Sequence, residues 1–106
     1  MASRSKTNLM VRRENRIPME IPVILQGNRH LPGAESTFTE NVSASGARVI
    51  STRRWDKGAQ ILFASRSGDF RSEARVAYCE PVHGDGYAIG VQFLDPRGRW
   101  VVQSAS

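Results

Sequence analysis

The longest regular pattern in the chain is an alternation of side chains over residues 70–80. Neighbouring side chains of an extended chain point to opposite faces, so a period of two separates an inner face from an outer one. The pattern therefore predicts a β-strand with one buried face. The members of the predicted inner face are Phe70, Ser72, Ala74, Val76 and Tyr78.

Five further runs have strand character and are separated by turn signals. They cover residues 18–26, 35–42, 47–51, 59–65 and 87–93. Glycine-containing turns such as Ser67-Gly68-Asp69 and His83-Gly84-Asp85-Gly86 lie between them. Six short strands at this spacing, with no long helical period, predict an all-β fold, either a small antiparallel six-stranded β-barrel or a sandwich.

The two ends of the chain do not follow this pattern. Residues 1–10 are polar and unpatterned, so we expect a flexible, disordered N-terminal arm followed by one folded domain over residues 11–106. Asp95-Pro96 is typical of a helix start, and the residues after it predict at most a short C-terminal helix. The chain lacks a signal-peptide centre and an apolar run long enough to span a bilayer, so we expect a cytoplasmic protein without membrane insertion. Cys79, the single cysteine, lies in a strand pattern and predicts a buried, unreactive thiol.

The net charge of +5 is concentrated near the N-terminus. Residues 1–16 contain five basic groups and one acid, whereas the remaining 90 residues contain ten basic and nine acidic groups. A nucleic-acid-binding domain more often spreads its basic residues over the folded surface. A barrel that binds RNA or single-stranded DNA also needs exposed aromatic side chains for stacking, and Trp55 and Trp100 are the candidates for that role. We expect no nucleic-acid partner.

Residues 41–46 read N-x-S-x-x-G and lie between two predicted strands. Alternation puts Asn41 and Ser43 on one side of the chain, where they can offer an amide and a hydroxyl to one object. Gly46 is predicted to take a positive φ that lets the chain turn. An Asx-type turn without a binding role gives the same pattern, so this motif alone leaves both interpretations open.

A pair of arginines, Arg12 and Arg16, precedes the first predicted strand. Their spacing keeps both side chains on one side of the chain in a helical or an extended conformation. Together they can form a two-armed anion clamp, with Arg13 beside them. A solvated basic arm is the alternative interpretation.

The order of these two motifs resembles the PilZ domain, a bacterial receptor family for cyclic di-GMP whose signature is R-x-x-x-R followed by D/N-x-S-x-x-G. The matching positions are Arg12, Arg16, Asn41, Ser43 and Gly46. Residues 87–93 also look like the closing strand of the family. The resemblance implies a PilZ-like six-stranded barrel that binds cyclic di-GMP through these residues, with Arg13 as a helper. PilZ domains usually carry a longer C-terminal helix than the residues after Pro96 allow.

The function implied by the resemblance is that of a receptor and effector module in bacterial second-messenger signalling. Binding of cyclic di-GMP would order the arginine arm and change the surface seen by an effector protein, and the protein would be a monomer or a weak homodimer. The alternative is a PilZ-like adaptor that mediates protein–protein interaction without nucleotide. No enzymatic activity, metal or cofactor is expected, because His30 and His83 lack metal-ligand spacing and no nucleophile motif is present.

Overall fold

Eight β-strands account for the regular structure of residues 15–103, which are the residues that the computed structural model describes. They are β1 (Ile17–Pro18), β2 (Pro22–Gln26), β3 (Ala34–Ser43), β4 (Gly46–Ser51), β5 (Gln60–Ser65), β6 (Phe70–Pro81), β7 (Tyr87–Phe93) and β8 (Arg97–Gly98). No helix occurs among these residues. From β3 to β7, the predicted strand boundaries are each within about one residue of the observed ones, because the period-two pattern reports directly which face is buried.

Six of the strands close into a barrel. They pair in the order β3-β2-β5-β6-β7-β4, and β4 then pairs with β3 to complete the ring. All neighbouring strands are antiparallel. The two shortest strands lie outside the ring, β1 on β3 and β8 on β6. Closure gives the backbone groups of each barrel strand a partner on both sides, which confirms the prediction of a six-stranded antiparallel barrel.

The predicted first strand, residues 18–26, is divided into β1 and β2. Pro18 and Pro22 have no N–H group to donate to a strand ladder. Between them, the Met19 N–H and the Ile21 carbonyl still bond to the backbone of β3, at 3.2 and 3.1 Å. The hydroxyl of the buried Thr39 serves the other two groups, since it donates to the Met19 carbonyl at 2.7 Å and accepts from the Ile21 N–H at 2.9 Å.

The C-terminal segment forms a strand where the sequence allowed a short helix. In β8, Gly98 pairs with Phe70 at the start of β6. Gly98 has a φ of +95°, and a Cβ atom there would collide with the backbone oxygen of Asp69. This conformation turns the chain inward, so that Trp100 is 6% exposed and joins the core.

Two tryptophans close opposite ends of the barrel. Trp100 packs its ring at 4.7–5.6 Å from the rings of three phenylalanines, and its indole N–H donates to the Ser43 carbonyl near the start of β4. Trp55, 2% exposed, donates its indole N–H to the Ser51 hydroxyl at the end of β4. Because both rings are buried, neither tryptophan offers a stacking platform for RNA or single-stranded DNA. The phenylalanines are Phe63, Phe70 and Phe93.

A β-bulge in β6 changes which face its last residues occupy. The register shifts between Val76 and Tyr78, so that Tyr78 pairs with Gly90 and Cys79 pairs with Ile89 of the core. The prediction that Tyr78 shares the inner face with Phe70 is therefore wrong. Cys79 packs against the core but is only partly buried, and its sulfur accepts a hydrogen bond from the backbone N–H of Trp55 at 3.4 Å.

Candidate ligand-binding face

The N-x-S-x-x-G motif forms the β3–β4 hairpin. The turn itself is Ala44-Ser45, and Gly46 is already the first residue of β4, where it pairs with Ser43 on one side and Gln92 on the other. Gly46 does not have a positive φ, so the prediction that it provides the turn was wrong. The glycine is required for space, because a Cβ atom there would collide with the backbone oxygen of Val91 on β7.

Asn41 and Ser43 lie on the same face of β3, since Val42 between them is in the core. Their exposure differs. Asn41 is half-buried and accessible from the outer surface of the barrel. Ser43 is 1% exposed, and its hydroxyl donates to the Gly46 carbonyl across the hairpin at 3.4 Å. In this conformation the Asn41 side chain is accessible from outside the barrel, while the Ser43 hydroxyl bonds across the hairpin that follows Asn41.

Arg16, the residue before β1, reaches the same face. Pairing of β1 with β3 places Pro18 opposite Asn41, and the exposed Arg16 donates from Nη1 to the Asn41 Oδ1 at 2.8 Å. Parts of both sequence motifs therefore meet, although 25 residues separate them in the chain. Arg12 and Arg13, the other predicted members of the clamp, lie outside the described residues.

Arg48 is a charged residue of this face that the motifs did not identify. It pairs with Asn41 on β3 and with Gly90 on β7, so its side chain points outward between them. Its guanidinium forms ion pairs with Glu40 at 2.8 Å and Glu80 at 2.9 Å. Hydrogen bonds to Glu40, Tyr78 and Glu80, in that order of importance, raise the pKa of Arg48 above its usual value. Arg48 is thus a fixed, permanently charged neighbour of Asn41.

A depression of about 200 Å³ adjoins the hairpin. Gly90 lets the Tyr78 ring lie against the outer surface of β7, because a Cβ atom at Gly90 would collide with that ring. Gln92 forms part of the wall and is held by a hydrogen bond from Arg75 at 2.7 Å. The depression is lined by Arg16, Ser45, Gly46, Ala77, Tyr78, Gly90, Val91 and Gln92. The outward-facing positions of β4, β6 and β7 could have suggested Arg48 and Gln92 from sequence, but the bulge that brings Tyr78 to this face has no such signal.

The face has the composition of a binding site for a planar anion. A guanidinium, an amide and a phenol ring surround a shallow space, and such groups suit phosphate oxygens and base edges. Within residues 15–103, no group of three or more histidine, cysteine, aspartate and glutamate side chains is placed to hold a metal ion. The same residues include no helix of the length and apolarity that a membrane span requires.

The model of the PilZ domain family matches residues 10–100, which is most of the chain. The chain therefore belongs to the PilZ domain family. A search of curated proteins finds no match.

Among solved structures, the fold is similar to that of the Bacillus subtilis inhibitor of motility, MotI/DgrA. The TM-score is 0.61 at 16% sequence identity, and the similarity covers 77% of this chain. It covers 42% of the Bacillus chain, so this protein corresponds to less than half the length of that one. At this identity the comparison establishes a shared barrel fold.

Proposed function

We propose that the protein is a cyclic di-GMP receptor that binds its ligand on the face formed by Arg16, Asn41 and the β3–β4 hairpin. The observation that carries this proposal is the 2.8 Å contact between Arg16 and Asn41, which brings the two motifs of the family together. Arg12 and Arg13 would complete the clamp from the preceding segment. Ser43 and Gly46 would act by fixing the hairpin.

The chemistry of the face matches that of a guanine dinucleotide. Guanine presents O6 and N7 as paired acceptors that an arginine fork can contact bidentately, and its N–H donors suit the Asn41 Oδ1. Guanidinium groups also form charge-assisted hydrogen bonds with phosphate oxygens. Because Arg16 already donates to the Asn41 Oδ1, a guanine that uses this oxygen would displace the guanidinium toward a phosphate or a base acceptor.

Signalling would follow from this rearrangement. Ligand contacts from Arg12, Arg13 and Arg16 would order the N-terminal segment on the barrel and so change the surface presented to an effector protein. The domain would serve as a binding module and not as an enzyme. Since cyclic di-GMP is an intracellular messenger, it would act in the cytoplasm.

Calorimetry with cyclic di-GMP tests the proposal directly, with GTP and cyclic di-AMP as matched controls. We expect a dissociation constant in the low micromolar range or below, equivalent to about −8 kcal/mol. GTP and cyclic di-AMP should bind much more weakly, because the first lacks the cyclic diphosphate frame and the second lacks the guanine edge. No heat from cyclic di-GMP at about 100 µM, together with no shift in melting temperature, would rule out the receptor function.

The second candidate is an adaptor that binds a partner protein without nucleotide. It is favoured by one observation, that Ser43 and Asn41 already have hydrogen-bond partners within the chain. In this case Asn41 and Ser43 would stabilise the barrel and have no role in binding a nucleotide. A silent calorimetric titration, with the protein folded, is the result this candidate requires.

A further inference from the structure

An open cleft lies at the other end of the barrel from the β3–β4 hairpin. It has a volume of about 550 Å³ and is formed by the β2–β3 loop, residues 27–33, and the β4–β5 loop, residues 52–59. Its apolar lining comes from Leu31, Trp55 and Ala59. We call this the loop cleft, and none of the ligand-binding motifs contributes to it.

The two loops are bound firmly to each other and to the barrel. The Arg53 guanidinium donates to the carbonyls of Pro32 at 2.6 Å and Gly33 at 3.4 Å, and it lies 4.9 Å from the centre of the Trp55 ring. Asn28 donates from its side chain to the Gln60 carbonyl at 2.9 Å. The Arg53 bonds join one loop to the other, and the Asn28 bond joins the first loop to β5.

Each loop is also fixed internally. The Asn28 side-chain oxygen accepts from the N–H groups of His30 and Leu31 at 2.8 and 2.9 Å. Glu35 accepts three hydrogen bonds from Ser51 and Thr52, where the second loop begins. A cleft built from such loops is largely preorganised, which lowers the entropic cost of binding.

The rim of the loop cleft carries an unbalanced positive charge. The two loops contain four basic residues and one acid, whereas the rest of residues 17–106 contains six basic and eight acidic residues. Arg29, Arg54 and Lys57 are exposed and line the cleft. Within residues 15–103, none of these three side chains forms an ion pair. Three exposed cations and one acid, Asp56, around an apolar floor give the cleft a net positive charge that is complementary to an acidic surface.

We propose that the loop cleft docks an acidic segment of a partner protein, with an apolar side chain of that segment inserted between Leu31 and Ala59. Apolar centres with charged rims are the usual anatomy of protein interfaces. Nucleic acid fits poorly, because Trp55 is 2% exposed and covered by Arg53, so no aromatic face is open for stacking. A compact polyanion also fits poorly, because the cations are spread along two loops and Asp56 stands among them. The proposal does not depend on cyclic di-GMP binding.

The test is an amide-resonance titration of the ¹⁵N-labelled protein with a blocked pentapeptide that has two glutamates on each side of a central leucine. We expect a dissociation constant of about 1 mM. Shifts should be concentrated at Arg29, Leu31, Lys57 and the Trp55 indole. A peptide in which lysines replace the glutamates should leave these resonances in place.

Charge reversal supplies the matched control. The double variant Arg54→Glu and Lys57→Glu should lower the affinity for the acidic peptide at least about tenfold, since two cations that attract the peptide are replaced by carboxylates that repel it. The pair Arg66→Glu and Arg99→Glu changes the net charge equally at the other barrel end and should leave the affinity unchanged. Both double variants should retain the parent melting temperature, because all four side chains are exposed.

Four results would overturn the proposal. They are an absence of cleft shifts at about 5 mM acidic peptide, equal losses in the two double variants, no loss in the cleft variant, and larger shifts of the cleft resonances with inorganic pyrophosphate than with the peptide. The last of these would identify a small-anion site. Cyclic di-GMP calorimetry of the cleft variant is a separate readout, because its result depends only on the Arg16–Asn41 face.

Discussion

At the scale of single residues, Gly46 is constrained by the neighbouring strand. The Gly46→Ala variant places a methyl group against the Val91 carbonyl, so β4 and β7 must separate or shift. We expect it to lower the free energy of unfolding by about 1–3 kcal/mol, the usual cost of overpacking. Gly58→Ala is the control for backbone strain alone, since Gly58 has a φ of +91° and open space around it. Denaturant titration should show a larger loss for Gly46→Ala than for Gly58→Ala; equal losses would contradict the steric explanation.

Arg16 has the opposite character, because it is exposed and its hydrogen bond to Asn41 lies at the surface. We expect Arg16→Ala to lower the affinity for cyclic di-GMP by about five- to 150-fold, which is the range for losing a bidentate guanine contact. The melting temperature without ligand should stay within error, as for surface substitutions generally. Arg66→Ala removes the same charge from a turn at the same barrel end and should bind normally. Calorimetry that finds equal losses for both variants would indicate a diffuse electrostatic effect.

The site residues could be predicted from sequence only in part. Alternation correctly put Asn41 and Ser43 on one face, because Val42 between them is buried. It could not predict that Ser43 is buried, or that its carbonyl accepts a hydrogen bond from Trp100, which is 57 residues away in the chain. The steric requirement for glycine at position 46 could not be predicted either, because β7 lies beside Gly46 only through the pairing of β4 with β7.

At the scale of elements, the strands were predictable and their pairing was not. Period-two alternation reports which face of a strand is buried. The alternation holds in β3 to β7 except at the bulges in β3 and β6. The bulge in β6 reverses the phase after Val76, and a bulge is set by the register with the partner strand. The order β3-β2-β5-β6-β7-β4 likewise requires contacts between strands that are distant in the chain.

The segment after β7 has a structural role that its short strand does not suggest. Trp100 packs against three phenylalanine rings and donates to the Ser43 carbonyl at the β3–β4 hairpin. We expect Trp100→Ala to reduce the free energy of unfolding by about 3–5 kcal/mol, as for other buried aromatic residues. Val101→Ala, at a side chain that is 49% exposed, should change it by less than about 0.5 kcal/mol. Comparable values for the two variants in urea titrations would exclude a closing role for Trp100.

At the scale of the whole molecule, the closed barrel is a structural unit distinct from the arginine segment that we propose binds the ligand. The six barrel strands pair with one another in a closed ring, and Trp55 and Trp100 close the two ends. The proposed ligand clamp instead draws Arg12 and Arg13 from outside that unit. Removal of the N-terminal residues should therefore affect binding far more than folding.

Two deletions test this separation and the expected boundary of the N-terminal arm. Deleting residues 1–10 should leave both the melting temperature and the cyclic di-GMP affinity unchanged, because it keeps both motif arginines. Deleting residues 1–14 should again leave the melting temperature within error, but it removes Arg12 and Arg13 and should weaken the ligand at least about tenfold. The full-length double variant Arg12→Ala and Arg13→Ala should match the longer deletion in affinity, which attributes the loss to the two guanidinium groups. A fall in melting temperature with the shorter deletion would mean that residues 1–10 belong to the folded domain.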